Sequence, residues 1–513
     1  MQFTVGDFVS GKELAQIGRG ILREMTLMNR LIITLLLSAA TLIASQYSDA
    51  TEAAGKPDVL FIAIDDLNDW VGAMGGLIQA KTPNIDALAE RGMFFTNAHS
   101  VGTSCTPSRT ALLTGMSPFN SGLYSHEIDW RESDVVSSAP TLPRYFKDNG
   151  YQTLGAGKIF HAHSYHLKGA QGQQDTSAWD AYFPSLKRQL TDEIYPVDQQ
   201  TGNEARGRGA ATGGFDYMPI IATDAAMGDG QVVSWITDRL TESKEGPRFI
   251  AAGIYRPHLP WYTPAQYFDL YPVEKIELPP YLDGDRDDVG TTRDMNLEPD
   301  LGYDAMPKLS DADTTAVKEA IQGYLASISF ADAMVGELVN ALDASGRADR
   351  TIIVLWSDHG FHLGEKDTWG KFTLWERSSH VPFIIVAPGV TQTGARTDEA
   401  VSLQNVYATL ADLAGLGVPV HVDGTSLRPL LEDPSSSWDE VAFTTAEFGS
   451  YAMQDDHFRY IRYVEGEEEL YDHRSDPNEW KNLASDPAFA ETLEAMRAKV
   501  PPFGQQVQPQ VLE

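Results

Sequence analysis

Four side chains able to bind a metal ion follow two apolar segments of the sequence. Asp65 and Asp66 come after the first segment, and Asp358 and His359 come after the second. The carboxyl ends of parallel strands meet at one edge of a sheet, so these side chains are expected to lie close together. Carboxylate oxygens are preferred by Ca²⁺ and Mg²⁺, whereas the nitrogen of His359 fits either a metal bond or a supporting hydrogen bond. Taken alone, an aspartate pair at a strand end is as often a helix cap or a turn.

The chain contains a single cysteine, Cys105, among its 513 residues. One cysteine excludes an intrachain disulfide framework and a metal site built from several thiolates. A lone cysteine is usually a small buried hydrophobe, but the sequence around Cys105 favours a reactive role. From position 105 to position 115 it reads Cys-Thr-Pro-Ser-Arg-Thr-Ala-Leu-Leu-Thr-Gly.

This stretch resembles the signature C-x-P-S-R-x-x-x-L-T-G of the formylglycine-dependent type I sulfatases, and it matches at every fixed position. Most of the chain from residue 56 onward is similar to the same family, nearest to the iduronate-2-sulfatase group and its bacterial relatives in the alkaline-phosphatase-like superfamily. The matching segments are 58–66, 81–84, 145–150, 157–161, 256–258, 357–360, 363–365, 371, 469–472, 476–479 and 482–483.

The resemblance implies how the nucleophile is made. In this family a maturation enzyme recognises the motif during export and oxidises the cysteine to formylglycine, so Cys105 is the expected precursor of an aldehyde. The implied metal is Ca²⁺, with Mg²⁺ as an alternative, and it would bind the hydrated aldehyde at position 105 as well as the four side chains named above. Arg109, four residues on, is expected to hold the formylglycine hydroxyls.

The resemblance also implies which residues act on the sulfate group. A sulfate ester resists attack because its oxygens repel nucleophiles and its leaving group is an alkoxide, so a catalyst needs cations and an acid. Lys158 and Lys371 are expected to bind sulfate oxygens as point charges. His258 would protonate the leaving alkoxide, and His161 would take the proton from the second formylglycine hydroxyl and so expel sulfate.

A glycine-rich segment before Lys158 has the appearance of a phosphate-binding loop. Residues 155–158 read Gly-Ala-Gly-Lys, but Gln152 stands where that loop requires glycine, and Ile159 stands where it requires serine or threonine. The segment is therefore not predicted to bind a nucleotide.

Several histidines near this segment leave two interpretations open. His161, His163 and His166 would suit zinc by type, although the acidic partners elsewhere favour a harder cation. His126, Trp130, His163 and His166 fit either the lining of a sugar pocket or exposed loops.

The elements that must position these residues are predicted from apolar runs. Residues 59–64, 249–254, 351–356 and 383–386 lack polar alternation and are separated by helix-like stretches, which predicts an α/β fold. Its large, mostly parallel sheet would be sandwiched by helices, as in the alkaline-phosphatase-like proteins. The segment 314–342 has an apolar stripe at helical spacing and predicts a helix packed on the core.

After Pro434 the pattern changes to short strands at 441–446, 459–464 and 468–471 and a final helix near 488–499. This pattern predicts a smaller α+β subdomain with an antiparallel sheet. The predicted divisions are an N-terminal extension with signal peptide at 1–54, a catalytic domain at 55–434 and a C-terminal subdomain at 435–513.

The N-terminal region predicts export. Residues 31–44 form an apolar run after Arg30 that suits a signal-peptide core and is shorter than a membrane span. We expect a periplasmic or secreted protein with no stable membrane anchor after cleavage. A formal net charge of −33 argues against nucleic acid as a partner.

The expected substrate is a sulfated carbohydrate, either a uronic-acid 2-O-sulfate or a fragment of a marine polysaccharide. Loops at 186–224 and 275–312 would border the substrate and match no family segment, so the resemblance supports the reaction more strongly than the sugar. Alternatives are a phosphonate or phosphate ester hydrolase of the same superfamily, a small-substrate sulfatase like the choline sulfatases, and a sulfated-glycan binding protein without activity.

Overall fold

The computed structural model describes residues 55–76, 79–125, 128–162, 172–186, 188–191, 215–290, 308–311 and 313–502. The predicted signal peptide and His126, His163 and His166 lie outside the described residues. So do parts of the two predicted loops, at 187, 192–214, 291–307 and 312.

The described residues contain strands and α-helices in alternation through the first two thirds of the chain. The strands are β1 Asp58–Ile64, β2 Met93–Phe95, β3 Ala98–His99, β4 Gln152–Gly157, β5 Ala181–Phe183, β6 Tyr217–Ile220, β7 Arg248–Ile254, β8 Trp261–Pro264, β9 Thr351–Ser357, β10 His362–Leu363, β11 Trp369–Gly370, β12 Phe383–Val386, β13 Ala395–Thr397, β14 Val401–Ser402, β15 Ala442–Glu447, β16 Ser450–Gln454, β17 Phe458–Arg462 and β18 Glu468–Asp472. The α-helices are α1 Pro83–Ala89, α2 Cys105–Thr114, α3 Pro118–Ser121, α4 Leu142–Asp148, α5 Gly228–Thr241, α6 Ala265–Phe268, α7 Thr315–Ala344, α8 Glu376–Ser379, α9 Asn405–Leu413, α10 Arg428–Glu432 and α11 Ala490–Ala498.

A large sheet forms the centre of the fold. Within the described residues it has eight strands in the order β13-β2-β12-β9-β1-β7-β4-β5. Neighbouring strands pair in parallel except at β12, which runs antiparallel to both β9 and β2. The prediction of a mostly parallel sheet in an α/β fold is confirmed.

Strand β1 shows why the central strands read as continuous apolar runs. All seven of its residues are buried. Leu60, Ile62 and Ile64 point into one hydrophobic cluster, and Val59 and Phe61 point into another on the opposite face. Both faces of the sheet are therefore covered, so polar residues have no solvent-facing positions on this strand.

Helix α7 covers one face of this sheet over 30 residues. Its stripe of Ile321, Leu325, Ile328 and Val335 is fully buried in the same cluster as the even-numbered residues of β1. Among the described residues, α7 is the helix whose length and composition would allow it to cross a membrane, and most of it is buried in the core.

The C-terminal part forms a four-stranded antiparallel sheet in the order β15-β16-β17-β18, followed by α11. Three of these strands were predicted, whereas β16 was missed. Gly449, with a φ of 92°, closes the β15–β16 turn and lets the second strand begin immediately. The proposed boundary between residues 434 and 435 stays a prediction.

One buried arginine connects this sheet to the larger part of the fold. Arg459 of β17 is 1% exposed and donates to the carbonyl of Leu374 at 2.7 Å and to Ser379 Oγ at 2.6 Å. Its guanidinium also lies 3.0 Å from Glu376 Oε2 and 3.3 Å from Glu479 Oε1. Two carboxylates from different segments, one buried and one mostly buried, thus share one cation.

We predict that Arg459→Met lowers the free energy of unfolding by about 3–5 kcal/mol, because it leaves buried acids without the cation they share. Urea-induced unfolding measures the change. Arg474→Met is the control just after the last strand of the same sheet, since the exposed side chain of Arg474 pairs with Asp472 at the surface and its loss should have little effect. Equal losses in the two variants would contradict the structural role of Arg459.

Candidate active site

The two predicted strand ends bring the four metal-ligand candidates together. Strand β1 pairs in parallel with β9, and Ile64 lies opposite Ser357, so the residues that follow each strand are neighbours. The backbone N–H of Asp66 donates to Asp358 Oδ1 at 3.1 Å. His359 Nε2 lies 3.3 Å from Asp66 Oδ1 and 3.6 Å from Asp358 Oδ2.

Cys105 is the first residue of α2 and lies at the centre of these side chains. It is fully buried, and its Sγ lies 3.3 Å from His359 Nε2 and 3.8 Å from Asp65 Oδ1. Two ammonium groups approach the same sulfur, Lys371 Nζ at 3.3 Å and Lys158 Nζ at 3.8 Å. Burial raises the pKa of the Cys105 thiol, and the two lysines oppose that effect only in part.

Arg109, one turn further along α2, connects the helix to three strand ends. Its guanidinium donates to Asp65 Oδ1 and to Asp358 Oδ2, both at 2.8 Å. It also donates to the backbone carbonyls of Lys158 at 2.6 Å and Ile159 at 3.0 Å. The side chain is 1% exposed, and although burial lowers its pKa, the two carboxylates outweigh burial and raise the pKa above its usual value.

Two lysines pair with the adjacent aspartates. Lys158 Nζ lies 2.5 Å from Asp65 Oδ2, and Lys371 Nζ lies 2.8 Å from Asp66 Oδ1. Both lysines are buried, at 0% and 4% exposure. Together with Arg109 they supply three positive charges against the three aspartates of the cluster, so the buried charges balance.

The pKa values of the three aspartates shift in different directions, because burial and the neighbouring cations have opposite effects. Burial acts to raise every carboxyl pKa, but Lys158 and Arg109 hold the pKa of Asp65 below its usual value. Arg109 holds the pKa of Asp358 well below its usual value against the same burial. For Asp66, burial prevails over Lys371 and raises the pKa.

The glycine-rich segment before Lys158 is strand β4, and its glycines let the backbone pass close to β7. Gly157 has a φ of 74°, and a Cβ placed on it would lie 2.0 Å from the carbonyl oxygen of Gly253. A Cβ on Gly253 would in turn lie 2.3 Å from the backbone carbon of Lys158. The glycines therefore let the backbone place Lys158 in the cluster. This role is consistent with the sequence prediction that the segment is not a phosphate-binding loop.

His258 enters the cluster from the loop after β7. Its Nδ1 donates to the carbonyl of Leu259 at 2.6 Å, which leaves Nε2 facing Asp66 Oδ2 at 4.0 Å. Burial first, and then Lys158 and Lys371, lower the pKa of His258 well below its usual value. The ring is partly buried and directs one nitrogen at the reacting centre.

His161 and Trp130 are both buried, and both form hydrogen bonds with the backbone of Gln173. His161 is 5% exposed, and its backbone carbonyl accepts from the N–H of Gln173 at 2.7 Å. Among the described residues, the groups whose ligand atoms lie within 4.8 Å of one another do not include His161. Trp130 is buried, stacks on Phe160 and donates from Nε1 to the carbonyl of Gln173 at 2.8 Å, so it is not an exposed loop residue.

The donor set fits a hard divalent cation. Ligand atoms of Asp66, Cys105, Asp358 and His359 lie within 4.8 Å of one another, and so do those of Asp65, Asp66, Cys105 and His258. The two groups overlap and together offer three carboxylates and two imidazoles, an oxygen-rich set that suits Ca²⁺ or Mg²⁺. Cys105 stands here as the precursor of the proposed hydrated aldehyde, whose oxygens would replace the sulfur among the ligands.

Sequence reasoning missed several residues that support this site. Tyr255 places its ring 5.1 Å from Lys158 Nζ, and Ser108 donates from Oγ to the carbonyl of Asp358 at 2.6 Å. Tyr324, in the apolar stripe of α7, donates to the carbonyl of Asp66 at 2.7 Å. Ser108 lies inside the cysteine motif and could have been suspected, whereas no local pattern marks the two tyrosines.

Comparison with known proteins agrees with this geometry. The profile of the family described as Sulfatase matches residues 57–416, and one described as N-sulphoglucosamine sulphohydrolase, C-terminal, matches residues 364–506. A protein named Sulfatase from Formosa agariphila is 36% identical over 454 residues, which cover 87% of this chain and 86% of that protein. Iduronate 2-sulfatase from Homo sapiens is 30% identical over 427 residues, covering 75% of this chain and 74% of the human protein.

Among solved structures, a phosphonate monoester hydrolase of Agrobacterium radiobacter superposes with a TM-score of 0.68 at 22% identity. The match covers 86% of this chain and 94% of that one. An identity this low shows a shared fold, and the fold class predicted from the sequence is confirmed.

The family profile spans most of the 513 residues and includes the Cys105 motif, the strand ends and both lysines. The relative from Formosa agariphila matches most of both chains. These matches confirm the resemblance found in the motif. The chain belongs to the sulfatase family and is a sulfuric ester hydrolase.

Proposed function

We propose that this enzyme removes sulfate from a sulfated carbohydrate, with formylglycine at position 105 as its nucleophile and Ca²⁺, or alternatively Mg²⁺, as its cofactor. The observation that carries the proposal is the environment of Cys105 Sγ. His359 Nε2 and Lys371 Nζ both lie 3.3 Å from it, and Asp65 Oδ1 and Lys158 Nζ both lie 3.8 Å from it. A nucleophile at this position would attack a sulfate group surrounded by fixed cations.

The proposed first step is attack of one formylglycine hydroxyl, already ionised by loss of its proton to solvent, on the sulfur of the ester. The bond between sulfur and the alcohol oxygen breaks, and the sulfate group stays on the protein. Lys158 and Lys371 would hold the sulfate oxygens, and Arg109 would hold the backbone and hydroxyls at position 105. A bound divalent cation would supply Lewis acidity that lowers the pKa of the attacking hydroxyl.

Proton transfer is assigned to the two histidines. The hydrogen bond from His258 Nδ1 to Leu259 fixes the ring so that Nε2 would hand a proton to the departing alkoxide. Sulfate bound beside the lysines would offset their positive charge, which together with the larger effect of burial lowers the pKa of His258. In the second step the remaining hydroxyl would lose its proton, a role that the family resemblance gives to His161; sulfate would leave, and the aldehyde would re-form and be hydrated.

The carbohydrate substrate is supported by sequence similarity. Human iduronate 2-sulfatase is 30% identical over 427 residues, and its name specifies a 2-O-sulfate of a uronic acid. We propose a sulfated uronic acid or a fragment of a marine polysaccharide as substrate. A periplasmic or secreted location, with maturation by a formylglycine-generating enzyme during export, completes the proposal.

We predict that peptide mass spectrometry of active protein finds an aldehyde or its hydrate at position 105. Cys105→Ala should abolish turnover. Nitrophenyl sulfate, phosphate and phosphonate esters share a leaving group, so their kcat/KM ratios report the group transferred, and sulfate should be preferred. Full activity with only a thiol at position 105 would refute the nucleophile, and a preference for the phosphonate would favour the alternative hydrolase.

We predict that chelation abolishes turnover and that Ca²⁺ or Mg²⁺ restores it. Asp358→Asn should remove calcium binding measured by calorimetry, because it neutralises a buried ligand and leaves Arg109 unbalanced. Asp349→Asn, an exposed substitution outside the cluster, is the control and should bind calcium normally. Normal calcium affinity in Asp358→Asn would rule out this metal assignment.

We predict that His258→Ala lowers kcat by about a hundredfold on alkyl sulfates and much less on aryl sulfates, since a phenolate leaves without a proton. The exposed His457→Ala is the control and should leave both rates unchanged. Equal losses on the two leaving-group classes would take the general-acid role away from His258.

A further inference from the structure

The backbone of Asp66 has an unusual conformation directly after β1. Its φ is 61°, in the left-handed region that non-glycine residues adopt at a steric cost. In an extended strand, consecutive side chains point to opposite faces. Here both consecutive carboxylates reach one cluster, Asp65 at Lys158 and Asp66 at Lys371. The left-handed turn is what allows the second carboxylate to face the site.

Tyr324 holds this turn through its hydroxyl. Tyr324 Oη donates to the carbonyl of Asp66 at 2.7 Å and accepts from the N–H of Asn68 at 3.0 Å. One hydroxyl therefore fixes the backbone on both sides of Leu67. These two hydrogen bonds restrain the backbone of the turn on which the Asp66 carboxylate is carried.

A second tether comes from the neighbouring strand end. Ser357 Oγ accepts from the N–H of Leu67 at 2.9 Å and donates to the carbonyl of His359 at 3.0 Å. The serine thus connects the turn after β1 to the segment that carries the other ligand candidates. All groups in this tether are buried, so water does not replace a lost partner.

The ring of Tyr324 has little freedom to move. The residue is 0% exposed and lies on the 30-residue helix α7. Its ring centroid lies 5.8 Å from that of Trp70, 5.3 Å from that of Trp261 and 5.7 Å from that of Phe361. Three aromatic contacts and a long core helix make the hydroxyl a rigid support for the turn.

We infer that Tyr324, assisted by Ser357, is a positioning residue that sets the orientation of the Asp66 carboxylate and thereby the affinity of the site for its divalent cation. The inference rests on the proposed function, since it assumes that Asp66 is a metal ligand. Neither residue touches the reacting atoms. Supporting partners of metal ligands typically change metal affinity by about 10–100-fold when removed.

Tyr324→Phe tests the inference, because it keeps the aromatic packing and removes only the hydroxyl. Calcium dissociation constants are measured by calorimetry on matured protein after chelation, with kcat and KM measured over a calcium series. We expect calcium binding to weaken by about tenfold or more. At limiting calcium kcat should fall, and at saturating calcium both kcat and the KM for the sulfate ester should approach the wild-type values.

Tyr271→Phe is the matched control, because Tyr271 lies outside α7 but its hydroxyl also contacts that helix. Tyr271 is also buried, and its hydroxyl contacts Ser329 Oγ of α7 at 2.6 Å and accepts from the N–H of Lys81 at 2.9 Å. Its loss should lower thermal stability to a similar extent and leave the calcium dissociation constant unchanged. A purely structural role for Tyr324 would make the two variants alike in calcium binding.

Each outcome bears on one claim. Folded Tyr324→Phe with the calcium affinity of the wild type overturns the inference. Should Tyr324→Phe not fold, Ser357→Ala decides it, because this variant removes the second tether and should also weaken calcium binding; unchanged affinity there overturns the inference. Wild-type protein without calcium-dependent sulfatase activity would refute the proposed function instead.

Discussion

The guanidinium group of Arg109 is the contact on which the arrangement of this site depends. Buried carboxylates are costly unless a cation and hydrogen bonds compensate them. Arg109 donates to Asp65 and Asp358 from one planar group and also binds the carbonyl of Lys158. Because Arg109 and Cys105 lie one turn apart on α2, the same contact fixes the position of the nucleophile relative to the sheet. The parallel register of β1 and β9 brings the acids together, and the positive charge of Arg109 offsets the repulsion between their carboxylates.

The balance of charge within the cluster indicates that cation binding and sulfate-ester binding are linked. Lys158 and Lys371 are paired with Asp65 and Asp66. They can turn to an anionic substrate only when other positive charge takes their place on those carboxylates. A chain of net charge −33 thus contains a small buried group of cations whose availability depends on what its acids bind. Occupation of the acidic ligands and binding of a sulfate ester should therefore favour each other.

The sequence revealed the acids and the cysteine because their signals are local. Asp65 and Asp358 follow apolar runs that predict buried parallel strands, and the edge of such a sheet brings their side chains together without knowledge of the loops. Tyr324 could not be found this way, because 258 positions separate it from Asp66 and its hydroxyl is one polar atom within an apolar helical stripe. Strand β4 was missed because its glycines, required by close backbone packing, hide the strand pattern. The sugar specificity could not be predicted, because the segments expected to border the substrate contain no motif and no regular hydrophobic pattern.

The burial of Cys105 constrains the order of events in the life of the protein. The side chain is fully enclosed by α2, the strand ends and both lysines, and its thiol resists ionisation. Under the proposed maturation, an enzyme would have to reach this cysteine and the residues that follow it, and here they form helix α2, whose residues are all buried. The proposed oxidation would therefore have to precede folding. A chain that folded first would keep a thiol at position 105 and would stay inactive unless it unfolded again.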